Sequence, residues 1–385
     1  MDFNLSEEHR AYAGAVARFA REKLAAGMLD RAHSSAYPWD AARLIAQQGL
    51  MGIAFPEAFG GQGGTLMHAV LAIQEVALVC PKSADIVQAG NFGPIRTFVE
   101  YATPAQKAKW LPGLLAGEKL IALGMSEPEA GSAVTELQTS ARADGDEFVI
   151  KGAKIFSSHS PHASLFLVYV RFAPGVDGIG SVLIERDTPG FTIGKPSTFM
   201  SGEQWCPLYF EDCRIPAANV LLGRGGFKKQ IAGFNVERLG NATRALAVGQ
   251  HAFNIAREHA LTRKQFGRAL CEFQGIQWKF ADMVLQLESA RLMLYRAALE
   301  GERGLPSAHS TALAKLACNQ AGFHAANESL QVMGGMGYSQ ELVVEYCLRR
   351  TRGWMIAGGS IEILKNRIAE GVFERSFPQR APKGD

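Results

Sequence analysis

The sequence predicts a multi-domain α+β protein in which a helical part, a β part and a second helical part follow one another. Apolar residues recur at helical spacing up to about residue 120, β-rich runs separated by turns fill about 122–222, and the helical period then returns. The length of 385 residues allows two to three domains of ordinary size. We expect domains over 1–121, 122–224 and 225–385.

Composition and charge narrow the class of protein. Hydrophobic residues make up 47% of the chain, which argues for a large core and against disorder. The 40 Lys and Arg nearly balance the 37 Asp and Glu, so no overall attraction to nucleic acid is expected. Six scattered cysteines without a CxxC pair predict thiols in a reducing compartment, not disulfides or zinc ligands. We expect a cytoplasmic protein, since MDFNLSEEHR lacks the parts of a secretory signal and no apolar run approaches the ~18 residues of a membrane span.

The first helical part begins with a capped helix. Ser6 suits an N-cap, and Glu7 and Glu8 would face the positive end of the helix dipole. Apolar residues then recur at helical spacing, at Tyr12, Val16, Phe19, Ala20 and Leu24. A glycine-rich loop over 59–64 precedes further helical stretches over 65–80 and 105–116.

Short β-rich runs fill the middle of the chain. They cover 148–150, 165–170 and 181–184, with turn signals between them such as Asp144-Gly145-Asp146 and Pro189-Gly190. Because no long helical pattern interrupts them, we expect an antiparallel β domain and not βαβ units.

Long helices are expected in the last part. One helix should end at Gly267, and a second carries an apolar stripe of five turns that should stop at Pro306. A third should run over 309–333. The pattern favours a helix bundle. The stripe consists of Ile276, Phe280, Met283, Val284, Leu287 and Leu294.

Several common kinds of site have no support. No complete GxGxxG follows a strand, no Gly-x-Ser-x-Gly occurs, and Gly194-Lys195 lacks the first glycine of a P-loop. His159 and His162 form an HxxH that is typical of a surface or core pair when no third ligand is near. No metal site is expected.

Four segments carry unusual combinations of glycine and polar residues, and each has a structural and a functional interpretation. Residues 125–132 could be an ordinary turn or a cradle for a flat polar ligand. Residues 263–274 could cap a helix with cations or clamp a pyrophosphate. Residues 331–338 could be a helix C-cap or a close backbone approach to a ligand. Residues 356–363 could be a glycine loop with a Ser N-cap.

In this order and layout, the four segments resemble the acyl-CoA dehydrogenase family, from Asp2-Phe3 to about Phe377. The resemblance implies an N-terminal helical domain, a β-barrel-like middle domain and a C-terminal four-helix bundle. It implies FAD as cofactor, a homotetramer built as a dimer of dimers, and electron-transfer flavoprotein as electron acceptor. The implied reaction in acyl-CoA metabolism removes hydrogen from Cα and Cβ of an acyl-CoA to give the trans-2-enoyl-CoA.

The resemblance also assigns roles to residues. Two substitutions in the flavin segment, Phe156 for tryptophan and Ser158 for threonine, keep an aromatic face and a hydroxyl; Ala133 replaces a usual aspartate. The implied FAD contacts are Met125, Ser126, Ser132, Phe156, Ser158, Arg263, Gln265, Phe266, Gln274, Gln331, Gly335, Ser360 and Glu362. The implied substrate contacts are Ser132, Asn235, Arg238 and Gly358.

The catalytic base is the main departure from the family pattern. Most members carry a glutamate where this chain has Gly358. A minority carry the base on another helix, at the position of Glu237, 26 residues before Arg263. We therefore expect Glu237 to take the α-proton. Its alternative role is a simple ion pair with Arg238, or a solvent contact at the start of a helix.

A narrower resemblance connects the chain to a bacterial subgroup that includes 3-sulfinopropionyl-CoA desulfinase, a redox-neutral lyase. Residues 37–40, 272–278 and 286–294 carry it, with the loop at 356–359. That enzyme lacks both glutamates and has an arginine in its pocket, whereas this chain has Glu237 and, near the arginine's place, Asp85. Dehydrogenation is therefore favoured over desulfination. A non-catalytic acyl-CoA-binding flavoprotein is a third possibility, and the identity of the acyl group stays open.

Overall fold

A computed structural model describes residues 4–301 and 305–377. The ends of the predicted first and last domains, including Asp2 and Phe3, lie outside the described residues. Ser6 caps the first helix as expected, since its side chain accepts a hydrogen bond from the His9 backbone N–H. The first part contains α1 (Glu7–Lys23), α2 (Met28–His33), α3 (Trp39–Gln47), α4 (Leu66–Ala77), α5 (Pro81–Ala89), α6 (Pro94–Tyr101) and α7 (Pro104–Leu115).

A nine-stranded sheet forms the middle of the chain. Its main path runs β6-β8-β3-β2-β4-β5-β9, with β1 on β4 and β7 on β8. The predicted antiparallel pairing is confirmed for most of the sheet, but β1 and β2 both lie parallel to β4. The strands are β1 (Ile121–Gly124), β2 (Ser140–Asp144), β3 (Glu147–Ser158), β4 (Leu165–Arg171), β5 (Ile179–Glu185), β6 (Phe191–Ile193), β7 (Ser197–Thr198), β8 (Gln204–Pro216) and β9 (Val220–Leu222).

The last part is helical, and α10 is its central element, in contact with α8, α9, α12 and α13. Two glycines allow α8 and α10 to approach closely, because a Cβ on Gly249 would lie 2.5 Å from the Gly322 Cα. The elements are α8 (Phe227–Thr262), β10 (Lys264–Gln265), β11 (Arg268–Ala269), α9 (Gln274–Glu300), α10 (Ala308–Met333), α11 (Gly335–Tyr338), α12 (Val344–Trp354) and α13 (Ile361–Val372).

Two predicted helix ends are wrong. The helix expected to end at Gly267 ends at Thr262, because β10 and β11 form a hairpin whose turn holds Phe266 and Gly267 at φ 52° and 81°. The helix expected to stop at Pro306 already ends at Glu300. In both places a turn signal lay several residues beyond the last helical hydrogen bond.

One hydrophobic core connects the three parts of the molecule. It includes Phe19 and Val70 from the first part, Phe166 and Val182 from the sheet, and Leu246 from α8. In the described part of the chain, no helix has both the length and the apolarity that a membrane crossing requires. The shared core holds α5, the sheet and α8 together, and the candidate site lies where they meet.

Candidate active site

Glu237 is held from another part of the molecule. The Gln88 side-chain nitrogen, on α5, donates to both carboxylate oxygens at 2.9 Å. The Gly93 backbone N–H also donates to this carboxylate. Gly93 has φ 71°, and a Cβ there would lie 3.2 Å from Glu237 Oε2, so backbone conformation and space both favour glycine.

Burial gives Glu237 the proton affinity of a general base. The residue keeps part of its surface accessible, yet desolvation among protein atoms raises its pKa to about 7. Arg244, Lys315, Gly93 and Gln88 act in the opposite direction. A carboxylate whose pKa lies near neutral pH binds a proton more strongly than one in water.

One predicted alternative for Glu237, an ion pair with Arg238, is wrong. Arg238 Nη1 instead donates to Asn235 Oδ1 at 3.0 Å. Glu237 also lies ten residues after Phe227, the first residue of α8, and not at a helix start. Desolvation lowers the pKa of Arg238 to about 10. Asn235 and Arg238, both predicted substrate contacts, thus lie on α8 within one turn of Glu237.

Lys315 holds the loop that carries Gly358, and its charge favours the ionised form of Glu237. The buried Lys315 ammonium donates to the carbonyl oxygens of Ala357 at 2.9 Å and Gly359 at 2.8 Å, and to that of Trp354 at 3.2 Å. Desolvation and Arg238 lower its pKa to about 7, whereas Glu237 favours its charged form. A Cβ on Gly358 would lie 3.7 Å from Lys315 Cε. Lys315 thus lies beside Gly358 and acts electrostatically on Glu237, the two positions compared for the base in the sequence.

A surface of aromatic rings and hydroxyls lies on the sheet. Phe156 is 54% exposed, with φ 56° at an irregularity in the pairing of β3 and β8, and its ring centroid lies 4.7 Å from that of Trp205. A non-glycine residue at positive φ stores strain, which is common at functional sites. Ser126 lies beside it, since its carbonyl accepts from the Ile155 N–H at 2.9 Å. Within the described residues, the Ser126 and Ser158 hydroxyls have no hydrogen-bond partner.

A buried ion pair positions Met125 and Ser126 at the edge of this aromatic and hydroxyl surface. Lys154 Nζ lies 2.8 Å from Glu127 Oε1 and also donates to the Met125 carbonyl at 3.2 Å. Desolvation lowers the pKa of Lys154 to about 8, and Glu127 opposes this shift. The Glu127 carboxylate also accepts from the backbone N–H groups of Gln138 and Thr139. Met125 and Ser126 are thus positioned by side chains that do not themselves reach the surface. Ser132 lies exposed after the turn formed by Glu127 and Ala130.

The hairpin after α8 forms an exposed tip. Arg263, Gln265 and Gln274 are exposed, and the side chain of Phe266 is 94% exposed. No hydrogen bond or ion pair between described residues joins this tip to Glu237 or to Phe156. Within one chain, the predicted pyrophosphate group therefore lies apart from the other candidate residues.

The remaining predicted FAD contacts lie at helix ends. Gln331 and Gly335 are exposed where α10 ends, with Gly334 at φ 59°. Ser360 caps α13 by accepting from the Ile363 N–H, and Glu362 lies exposed in the first turn. The predicted C-cap and N-cap are confirmed, with Gly334 after α10 and Ser360 before α13.

Asp85 lies in a buried network of charged side chains. Its two oxygens lie 2.9 Å from Arg244 Nη1 and 2.7 Å from Arg350 Nη2. Arg350 also pairs with Glu203, whose other oxygen lies 3.2 Å from His159 Nε2. His159, from the HxxH pair, therefore belongs to this network.

Three family models cover most of the chain. They are the acyl-CoA dehydrogenase N-terminal domain over residues 6–118, the middle domain over 122–213 and the C-terminal domain over 224–373. The chain belongs to the acyl-CoA dehydrogenase family. Members of this family are FAD-binding flavoproteins and oxidoreductases. The resemblance and the three-part fold predicted from the sequence are thereby confirmed.

Individual relatives differ in activity. The chain is 35% identical over 386 residues to 3-sulfinopropanoyl-CoA desulfinase of Paraburkholderia xenovorans, covering 98% of this chain and 99% of that one. It is 33% identical over 378 residues to the short-chain acyl-CoA dehydrogenase of Clostridium acetobutylicum, covering 97% and 100%. Its fold matches butyryl-CoA dehydrogenase from Megasphaera elsdenii with a TM-score of 0.90 and 32% identity, covering 97% and 100%.

The environment of Glu237 was not predicted from the sequence. Gln88, Gly93, Arg244 and Lys315 all act on this carboxylate, and none was singled out. The only sequence signal was a glycine directly before Pro94, at the start of α6. Such signals mark a helix start and say nothing about a distant partner.

Proposed function

We propose that this protein is an FAD-dependent acyl-CoA dehydrogenase that converts an acyl-CoA thioester to the trans-2-enoyl-CoA, with Glu237 as the base. The observation that carries the proposal is a desolvated carboxylate with a pKa of about 7, held by Gln88 and Gly93. An amide and a backbone N–H hold this carboxylate in place without consuming its charge in an ion pair. Such a group can accept a proton from carbon.

The aromatic and hydroxyl surface fits a flavin. Phe156 offers an exposed ring, and Ser126 and Ser158 offer hydroxyls with no partner among the described residues. The exposed tip with Arg263, Gln265, Phe266 and Gln274 suits the pyrophosphate end of FAD in a neighbouring subunit of a homotetramer. When bound, FAD supplies an acceptor for the β-hydrogen as hydride.

The residues of the chain perform the other half of the reaction. The ionised Glu237 takes the proton from Cα of the thioester and becomes neutral, a form that its buried surroundings favour. Gln88 and Gly93 fix its direction. Asn235 and Arg238 lie one turn apart on α8, where they would contact the CoA chain. Gly358 has no side chain and would leave space beside the thioester. We expect the acceptor to be electron-transfer flavoprotein and the location to be the cytoplasm.

A redox-neutral lyase is the second candidate, favoured by the identity to the desulfinase. The presence of Glu237 favours dehydrogenation, because the resemblance implies that a desulfinase of this subgroup has no glutamate at this position. The two reactions differ in one observable. Dehydrogenation reduces the flavin, whereas a redox-neutral elimination leaves it oxidised.

An anaerobic titration of the FAD-loaded protein with a panel of acyl-CoA thioesters tests the proposal. We expect at least one thioester to bleach the flavin, and Glu237→Gln to keep FAD but lose bleaching. Glu258→Gln is the matched control, since Glu258 lies exposed on the same helix. Binding of thioesters without any bleaching would contradict dehydrogenation, and full bleaching by Glu237→Gln would remove that residue from the mechanism.

A further inference from the structure

Asn241 on α8 is a buried amide without a partner. The residue is 2% exposed, and within residues 4–301 and 305–377 neither end of its amide makes a hydrogen bond. Buried side-chain amides are nearly always paired, because leaving one unpaired destabilises the folded protein. An unpaired amide in this position indicates a site that a bound group completes.

The amide lies between the proposed base and the glycine loop. Asn241 follows Glu237 by one turn of α8, so both side chains project from the same face, with Cβ atoms about 5–6 Å apart. The amide nitrogen lies 3.7 Å from the position that a Cβ would take on Gly358. Gly358 has φ 70°, which favours glycine, so no side chain from this position enters the space. Glu237 and Gly358 both keep part of their surface accessible, and the amide lies just inside that surface.

The order of residues along α8 places Asn241 against the acyl chain and not against CoA. The predicted contacts of the CoA chain begin at Asn235, before Glu237, whereas Asn241 lies after it. About one turn further on, Arg244 forms a buried ion pair with Asp85 at 2.9 Å, which closes this direction. An oxygen bound to Asn241 therefore belongs to the first few carbons beyond Cα.

The surroundings favour an uncharged oxygen as the partner. The carboxylate of Glu237, one turn away, would repel an anion, and the charge of Arg244 is already matched by Asp85. An amide carries no charge that could offset the desolvation of an ion. A keto or hydroxyl oxygen needs only the hydrogen bond that the amide nitrogen donates.

We propose, on the basis of the proposed function, that Asn241 selects acyl-CoA thioesters whose acyl chain carries an uncharged oxygen close to the reacting carbons. The amide nitrogen donates to this keto or hydroxyl oxygen. An aliphatic chain in the same place leaves the amide unpaired and shut off from water. Asn241 is then a specificity-determining residue, and it takes no part in the transfer of the proton or the hydride.

Binding of two matched thioesters tests this inference. 4-Oxopentanoyl-CoA carries a keto oxygen where 4-methylpentanoyl-CoA carries a methyl group of similar size. Their dissociation constants are measured by calorimetry on the FAD-loaded Glu237→Ala protein, which lacks the proposed base and whose alanine offers no hydrogen bond to Asn241. We expect 4-oxopentanoyl-CoA to bind at least about fivefold more tightly. Equal affinities, or tighter binding of 4-methylpentanoyl-CoA, would overturn the inference.

Substitutions of two asparagines on α8, each made in the Glu237→Ala protein, assign the preference. Asn241→Leu replaces the amide with an apolar side chain of similar shape, so the preference should be lost or reversed. The Tm should not fall, because no hydrogen bond of the described chain is removed. Asn254→Leu is the matched control and should leave the preference intact, since Asn254 lies exposed on the same helix and bonds to Gln250.

Asn241→Ala gives a second test if leucine does not fit, and it should also abolish the preference. A preference that persists in both Asn241 variants would overturn the inference. Bleaching of the unmodified protein is read separately. Its absence with a retained preference would contradict only the dehydrogenase proposal, and bleaching without a preference would contradict only the role of Asn241.

Discussion

Gln88 controls the proton affinity of Glu237, and replacing it should shift the pH dependence of the reaction. Gln88 donates to both carboxylate oxygens at 2.9 Å, and these bonds favour the ionised form. Hydrogen bonds to charged groups contribute about 1.5–3 kcal/mol, and part of this is retained by a protonated carboxyl. Gln88→Leu should therefore raise the pKa of Glu237 by about one unit, since one unit corresponds to about 1.4 kcal/mol.

The sign of the effect follows from the base having to be ionised. In the unmodified protein the rate of flavin bleaching should rise with pH through about 7, the pKa of Glu237, and level off above it. In Gln88→Leu the same rise should occur about one unit higher. Both profiles are measured by following flavin bleaching in a stopped-flow instrument at saturating and at limiting thioester. The working range of about four pH units runs from about 5.5 to about 9.5.

Gln47→Leu is the matched control, because Gln47 is an exposed glutamine on α3. This substitution should leave the pH profile of flavin bleaching unchanged. A Gln88→Leu profile that coincides with that of the unmodified protein would show that this amide does not act on the ionising base. A profile without any rise near neutral pH in either protein would show that Glu237 does not control the step.

Three further substitutions test the site. Gly93→Ala places a Cβ 3.2 Å from Glu237 Oε2 at φ 71°, so bleaching should slow and stability should fall by about 1–3 kcal/mol in denaturant unfolding; unchanged kinetics would contradict the contact. Phe156→Ala should weaken FAD retention measured by ultrafiltration, whereas equal retention would argue against a flavin at this ring. Lys315→Met leaves three carbonyls without their donor and should destabilise the protein by about 2–5 kcal/mol, seen as a lower Tm; an unchanged Tm would contradict this role.

The order of the three parts could be predicted from the sequence because periodicity is a local property. Ser6 caps α1 as expected. The predicted elements at 165–170, 181–184 and 309–333 lie within two strands and a helix. The end of α8 was predicted five residues too late, since Gly267 belongs to a hairpin turn that resembles a helix C-cap in sequence. The parallel pairing of β1 with β4 is non-local and left no signal.

Contacts between distant residues also determine the candidate site, and the sequence does not reveal them. Glu237 could be singled out from its spacing to Arg263, but its role as the base stays a prediction. Its partner Gln88 lies 149 residues away, and Asp85 lies 159 residues from Arg244. One sequence does not reveal such pairs, because nothing in the local pattern of α5 indicates which helix packs against it.

Exchange of the substrate α-hydrogen tests the central claim most directly. An acyl-CoA labelled with deuterium at Cα is incubated anaerobically with the FAD-loaded protein, and loss of label to water is followed by mass spectrometry. The unmodified protein and Glu258→Gln should release the label, and Glu237→Gln should retain it while still binding FAD. Release of the label by Glu237→Gln at the rate of the unmodified protein would contradict the assignment of the base.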